Sequence, residues 1–175
     1  RGHADFSEQF TGVFAADVTA QNFTVLLADD QLHQTFGGPD GDGFALVETD
    51  RAGRTPWTGA GVDADAGILG FHGARFRLND AAATAELLSF MGYEKEASEG
   101  AVTRYRIEDG NAAKTIDLEE MPGSSYAYQG AGSVHHIAFA VEDRAAQAEV
   151  RRALLDTGYQ VTPVIDRDYF YAIYF

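Results

Sequence analysis

Two adjacent histidines carry the clearest chemical signal in this 175-residue chain. They open the stretch Gly132-Ser133-Val134-His135-His136-Ile137-Ala138-Phe139-Ala140-Val141, which alternates small and apolar side chains as a strand does. Neighbouring strand residues point to opposite faces, so the two imidazoles diverge. An apolar strand has no packing use for two polar rings, and the pair calls for a hydrogen bond, a metal or a substrate. Imidazole is the commonest metal ligand, and a hydrogen-bonded pair at a strand end is the alternative of similar weight. With no cysteine, a metal would have to be held by His, Asp, Glu or Tyr. Asp117 and Glu119 share one face of their strand, and with Glu120 they are the other candidate carboxylates. Their expected place is a solvated strand edge. The cluster Gly37-Gly38-Pro39-Asp40-Gly41-Asp42-Gly43 is a turn; with no lysine and no helical pattern after it, it is not a phosphate cradle.

An apolar content of 45% marks a globular protein with enough chain for a real core. No apolar run approaches the roughly 20 residues that cross a bilayer. The net charge of −14 argues against nucleic acid and anionic membranes as partners. Lysine stands only at 95 and 114, and many carboxylates with so little lysine resemble the surfaces of proteins from high salt. A polar, charged start implies no secretory leader, and an arginine at position 1 suggests a processed or partial chain. Lack of cysteine fits a cytoplasmic location.

Elements that could position the histidines follow from periodicity and punctuation. Residues 22–27 and 44–48 read as strands about the glycine turn, together a hairpin. Residues 50–67 form a linker in which Trp57 anchors against a neighbouring surface. A strand over 70–78 leads to Asn79 or Asp80, either able to cap a helix over 81–90 that stops at Gly92. Residues 103–107 and 115–119 form strands about the turn Asp109-Gly110-Asn111, with another strand near 94–97. Beyond the histidines, Asp143 caps a helix over 144–156 with Ala145, Ala148, Val150, Leu154 and Leu155 on its apolar side. Strands over 160–164 and 169–175 flank the turn Asp166-Arg167-Asp168.

Residues 71–80 lie over 134–143 without a gap, matching Phe76 to Phe139, Asp80 to Asp143 and, further on, Glu86 to Glu149. Gly92-Tyr93 then meets Gly158-Tyr159 after a shift of about three residues, and the whole reads as a duplicated unit.

These paired units resemble the vicinal-oxygen-chelate superfamily, which includes glyoxalase I, bleomycin-resistance proteins and extradiol dioxygenases. Three stretches bring the chain nearest to the hydroquinone-type ring-cleaving dioxygenases: Gly70-Phe71-His72-Gly73, the histidine strand, and Asp166-Arg167-Asp168-Tyr169-Phe170-Tyr171-Ala172-Ile173-Tyr174-Phe175. The resemblance implies an α+β fold of repeated β-α-β-β-β modules, a curved mixed sheet with helices outside. On that layout residues 1–49 are the tail of a preceding module, 50–67 a linker, 68–121 a complete module, and 122–175 a second module lacking its closing strand.

The resemblance further implies Fe(II), alternatively Mn(II), bound by two histidines and a glutamate. His136 matches one ligand, and His72 stands where extradiol enzymes place another, although the repeat aligns His72 with His135. The glutamate belongs to the missing closing strand; its equivalent in the earlier hairpin is Ala45. His135 is implied as a proton donor or acceptor beside the metal, and Arg167 and Tyr174 as groups near the substrate. The expected activity is ring cleavage of a hydroquinone or catechol with O2, by a homo-oligomer or in association with the missing modules. The alternatives are a metal-free small-molecule-binding module of the bleomycin-resistance kind, a glyoxalase-type isomerase, or a fragment without independent activity.

Overall fold

The computed structural model describes residues 12–16, 23–27, 34–38, 43–47, 55–65, 67–109, 113–125 and 136–175. In chain order the strands and helices are β1 (Gly12–Ala16), β2 (Phe23–Leu27), β3 (Gln34–Gly37), β4 (Gly43–Leu46), β5 (Gly73–Leu78), α1 (Ala82–Phe90), β6 (Glu94–Glu99), β7 (Val102–Arg106), β8 (Thr115–Glu120), β9 (Ile137–Val141), α2 (Arg144–Asp156), β10 (Ile165–Asp166) and β11 (Tyr171–Tyr174). Both sheets mix parallel and antiparallel pairs, so the architecture is α+β as expected. None of the described helices is long and apolar enough to cross a membrane.

The chain forms two compact units, one of residues 19–133 and one of residues 1–18 with 134–175. Residues 50–67, expected as a linker between modules, fall inside the larger unit. There Trp57 donates its backbone N–H to Ile68 O at 3.0 Å. Its ring lies on Gly59, where a Cβ would collide with it, and stays 56% exposed. It covers its own loop.

The larger unit holds a seven-stranded sheet in the order β3-β4-β2-β5-β8-β7-β6. β3 and β4, on either side of the glycine cluster, pair antiparallel; residues 39–42 of the expected turn lie outside the described residues. β2, expected as the partner of β4 across that turn, instead runs parallel to it. Alternation buries Phe76, Leu78, Ile116, Leu118 and Tyr105, and Leu88 of α1 is 1% exposed. The opposite sides of β5, β7 and β8 carry Arg75, Arg104 and Asp117 in one cross-strand row. Gly73 enters the parallel β5–β8 pairing so closely that a Cβ would run into the Thr115 carbonyl oxygen.

The smaller unit holds a four-stranded sheet in the order β10-β11-β1-β9. β1 is antiparallel to β9 and parallel to β11, pairing Ala15 with both Ala138 and Tyr174. α2 begins as expected: Asp143 Oδ1 accepts from Ala146 N at 2.8 Å. Its packed side is rotated from the expected one, since Gln147 and Leu154 are buried while Ala145, Ala148 and Leu155 are exposed. The cause is polar: Gln147 Nε2 donates to Tyr171 O at 2.8 Å, and the Arg144 guanidinium lies 4.0 Å from the Tyr171 ring centroid. No strand forms over 160–164, because Pro163 has no N–H to give a ladder. The expected strand over 169–175 shortens to β11, leaving Tyr169 in the turn at 93% exposure.

The helices of the two units end alike. Met91, Gly92 and Tyr93 donate to Leu87, Ser89 and Leu88 carbonyls; Thr157, Gly158 and Tyr159 donate to Ala153, Leu155 and Leu154. Gly92 at φ 89° and Gly158 at φ 94° take the left-handed turn that only glycine adopts without strain.

Candidate functional site

Three of the residues singled out in the sequence meet in the smaller unit. β11 ends on Tyr174, which lies in one register row with Ala15 and Ala138. Strand alternation puts Ala138, Ala140 and Tyr174 on one face, opposite the face of Phe139 and Ile173 that carries the core. His136 precedes β9 by one residue, two positions before Ala138, and is exposed. Its ring meets the Tyr174 ring edge-on, with centroids 6.0 Å apart and planes at 83°. Arg167 completes the group, its guanidinium carbon 5.4 Å from the Tyr174 ring centroid.

A tight turn places Arg167. Its N–H donates to Phe170 O at 2.9 Å, Tyr169 N donates to Arg167 O at 2.8 Å, and Asp168 N donates to Asp166 Oδ1 at 3.0 Å. Asp168 takes a left-handed φ of 67°, a conformation that Asp tolerates better than most residues. The far end of β11 is held from outside its ladder. Thr162 N donates to Tyr174 O at 3.0 Å, and Tyr174 N donates to Thr162 Oγ1 at 3.0 Å. Arg151 of α2 donates through Nε to Thr162 O at 2.7 Å. Neither Thr162 nor Arg151 stood out in the sequence. The one signal was Thr162 directly before Pro163, where a strand ladder must fail and a side chain must substitute.

An imidazole, a phenol and a guanidinium gathered on one face can bind a cation or take a proton, donate a hydrogen bond, and neutralise an anionic oxygen, respectively. His135 lies outside the described residues. His72 belongs to the larger unit, half-buried just before β5. The larger unit also has an open hollow of about 330 Å³ lined by Phe36, Phe44 and Arg77 among others, and none of the expected site residues that are described lines it.

Of the acidic candidates, Glu120 is exposed as expected, and Asp117 and Glu119 are not. Asp117 is not a solvated edge charge: its side chain is 0% exposed. Arg104 binds it with Nε to Oδ1 at 2.8 Å and Nη2 to Oδ2 at 3.2 Å, and Arg75 Nη2 reaches Oδ2 at 3.2 Å. Two guanidiniums thus occupy both oxygens. Glu119 accepts from Arg77 Nε at 3.0 Å. Among the described residues no group of three or more His, Cys, Asp or Glu is placed to hold a metal ion.

No family model matches the chain. It is 40% identical over 141 residues to "Putative ring-cleaving dioxygenase MhqO" of Bacillus subtilis, a match covering 80% of this chain and 45% of that protein. It is 34% identical over 157 residues to the chlorohydroquinone/hydroquinone 1,2-dioxygenase of Sphingobium indicum, covering 82% of this chain and 47% of that one. A crystal structure of a "putative dioxygenase" from Bacillus subtilis superposes with a TM-score of 0.70 at 27% identity, covering 96% of this chain and 62% of that chain. The chain spans less than half the length of these two curated relatives.

Proposed function

We propose, from a chain whose relatives are named ring-cleaving dioxygenases and fit the vicinal-oxygen-chelate superfamily, that it forms part of a dioxygenase cleaving a dihydroxyarene of the hydroquinone or catechol class. The observation that carries this reading is the meeting of His136, Tyr174 and Arg167 on one sheet face. The matching helix exits of the two units support the reading of β5–α1 and β9–α2 as copies of one module.

A ring-cleaving dioxygenase of this kind calls for Fe(II) or Mn(II). The described residues fit one position of such a site and not a whole one. His136 offers an exposed imidazole, but Asp117, the buried carboxylate on β8, is committed to two arginines. His135 and His72 are the nearest candidates by sequence for further roles, and a carboxylate ligand has to come from elsewhere. A bound metal would bring the ring and O2 together. The chain's own contribution is polar and local. Arg167 holds its guanidinium charge beside the Tyr174 ring and stabilises a phenolate oxygen there. Tyr174 donates its hydroxyl proton in a hydrogen bond to the same substrate, and His136 faces it across 6.0 Å. His135 is assigned the proton transfer from the incoming phenol.

The test is Fe(II) and Mn(II) binding followed by calorimetry, with O2 uptake on hydroquinone, for this chain alone and mixed with the half of MhqO that it does not match. Expected is turnover only in the mixture, lost on His136→Ala and reduced on Arg167→Met. Turnover unaffected by His136→Ala overturns the assignment. Catechol binding without any metal favours the metal-free binding module instead.

A further inference from the structure

We infer that Thr162 is a positioning residue for the site, setting Tyr174 against His136 through a hydroxyl that stands in for a missing strand. This rests on the reading of Tyr174 as a substrate-facing donor. β10 pairs with β11 only through Ile165–Ala172 and Asp166–Tyr171. Past that point the next ladder position of β10 would fall on residues 163 and 164, and Pro163 has no N–H. On that edge Tyr174 therefore bonds to Thr162, which offers its backbone N–H to the carbonyl and its Oγ1 to the amide, each at 3.0 Å. Such a two-point hold fixes the backbone at both ends of the Tyr174 peptide unit, and so fixes where the ring leaves the strand.

The hold is itself anchored. Arg151 Nε donates to Thr162 O at 2.7 Å, a charge-assisted bond from the helix that covers the other face of the sheet. Arg144, one element-end away on α2, grips Tyr171 at the start of β11. Both ends of the strand bearing Tyr174 are thus tied to α2, and the aromatic–imidazole contact on the open face inherits its position from the helix behind. Serine would keep the hydroxyl, while valine has the same shape and cannot accept the Tyr174 amide.

The experiment compares wild type, Thr162→Val, Thr162→Ser and Arg151→Met in the 175-residue chain. Two signals are read by NMR: exchange of the Tyr174 amide proton, and the His136 ring resonances, which sense the edge-on tyrosine. Thr162→Val is expected to speed Tyr174 amide exchange about tenfold, the weight of one hydrogen bond, and to move the His136 resonances, with other amides of β11 unchanged. Thr162→Ser restores both signals, and Arg151→Met shifts them in the same direction by less. If Thr162→Val does not fold, Arg151→Met alone decides, since it leaves the hydroxyl in place and loosens only its anchor. A Tyr174 amide still protected and His136 resonances unmoved in both folded variants overturn the proposal. Added Mn(II) separates this from the function: a hold that passes while Mn(II) leaves the His136 signals unbroadened keeps Thr162 as the positioning residue and removes the metal reading.

Discussion

Replacing Asp117 by alanine removes the centre of a three-residue charge cluster and leaves Arg75 and Arg104 facing each other across one β8 residue. Three charge-assisted bonds disappear: two from Arg104, at 2.8 and 3.2 Å, and one from Arg75 at 3.2 Å. Taking one partner from a buried ion pair costs about 3–5 kcal/mol. Both guanidiniums keep about a fifth of their side chains in water, at 21% and 17% exposure, so they can swing outward. The expected loss is therefore at the lower end, about 3 kcal/mol. Arg104→Met removes the bidentate partner and costs about 2 kcal/mol; Arg75→Met removes one bond and costs about 1 kcal/mol. Replacing all three with Leu, Met and Met recovers most of the stability, because no buried charge then lacks a partner. Urea unfolding of the single, double and triple variants measures each term. A loss below about 1 kcal/mol for Asp117→Ala, or a larger loss for Arg75→Met than for Arg104→Met, refutes the reasoning.

Burial raises the Tyr93 phenol above its ordinary value of 10.0. The folded protein thus holds that proton more tightly than the unfolded chain, so the associated stability is full below about pH 10 and is lost as pH rises through the raised value. Stability measured by denaturation from pH 9 to 12 should fall more steeply for wild type than for Tyr93→Phe. Leu88→Ala and Leu154→Ala, each removing a side chain 1% exposed just before matching helix exits, should each cost about 2–5 kcal/mol in urea unfolding. Gly73→Ala should destabilise the larger unit by about 1–3 kcal/mol in the same assay, since the new methyl meets the Thr115 carbonyl oxygen rather than a side chain that can move.

Local signals were readable in the sequence wherever the physics is local. Asp143 announces its helix, α2 has the expected bounds, and Gly-Tyr marks both helix ends. What depends on distant chain was not readable. β1 has no strong pattern of its own and is a strand because β9 and β11 flank it. Asp117 looked solvated because the arginines that bury it arrive from 42 and 13 residues away. The rotation of α2 turns on a glutamine, which periodicity assigns to the solvent side. Of the site, the residues belonging to recognisable motifs, His136, Arg167 and Tyr174, were legible, and they do come together. Thr162 and Arg151 carry no motif; their importance exists only once a strand ends beside them.

The pairing of Val13 with both Ala140 and Ala172 bears on how the molecule assembles. The larger unit is continuous in sequence and many of its contacts, such as the β6–β7 hairpin, join near neighbours. It can form while the rest of the chain is still emerging from the ribosome. The smaller unit is interrupted: β1 precedes the larger unit in the chain, while its partners β9 and β11 follow it. Closing so long a loop is slow, and until it happens β1 lacks the pairing it has with β9 and β11. Refolding from denaturant should accordingly show a fast phase for the larger unit and a slower one for the smaller, with aggregation competing during the interval between them.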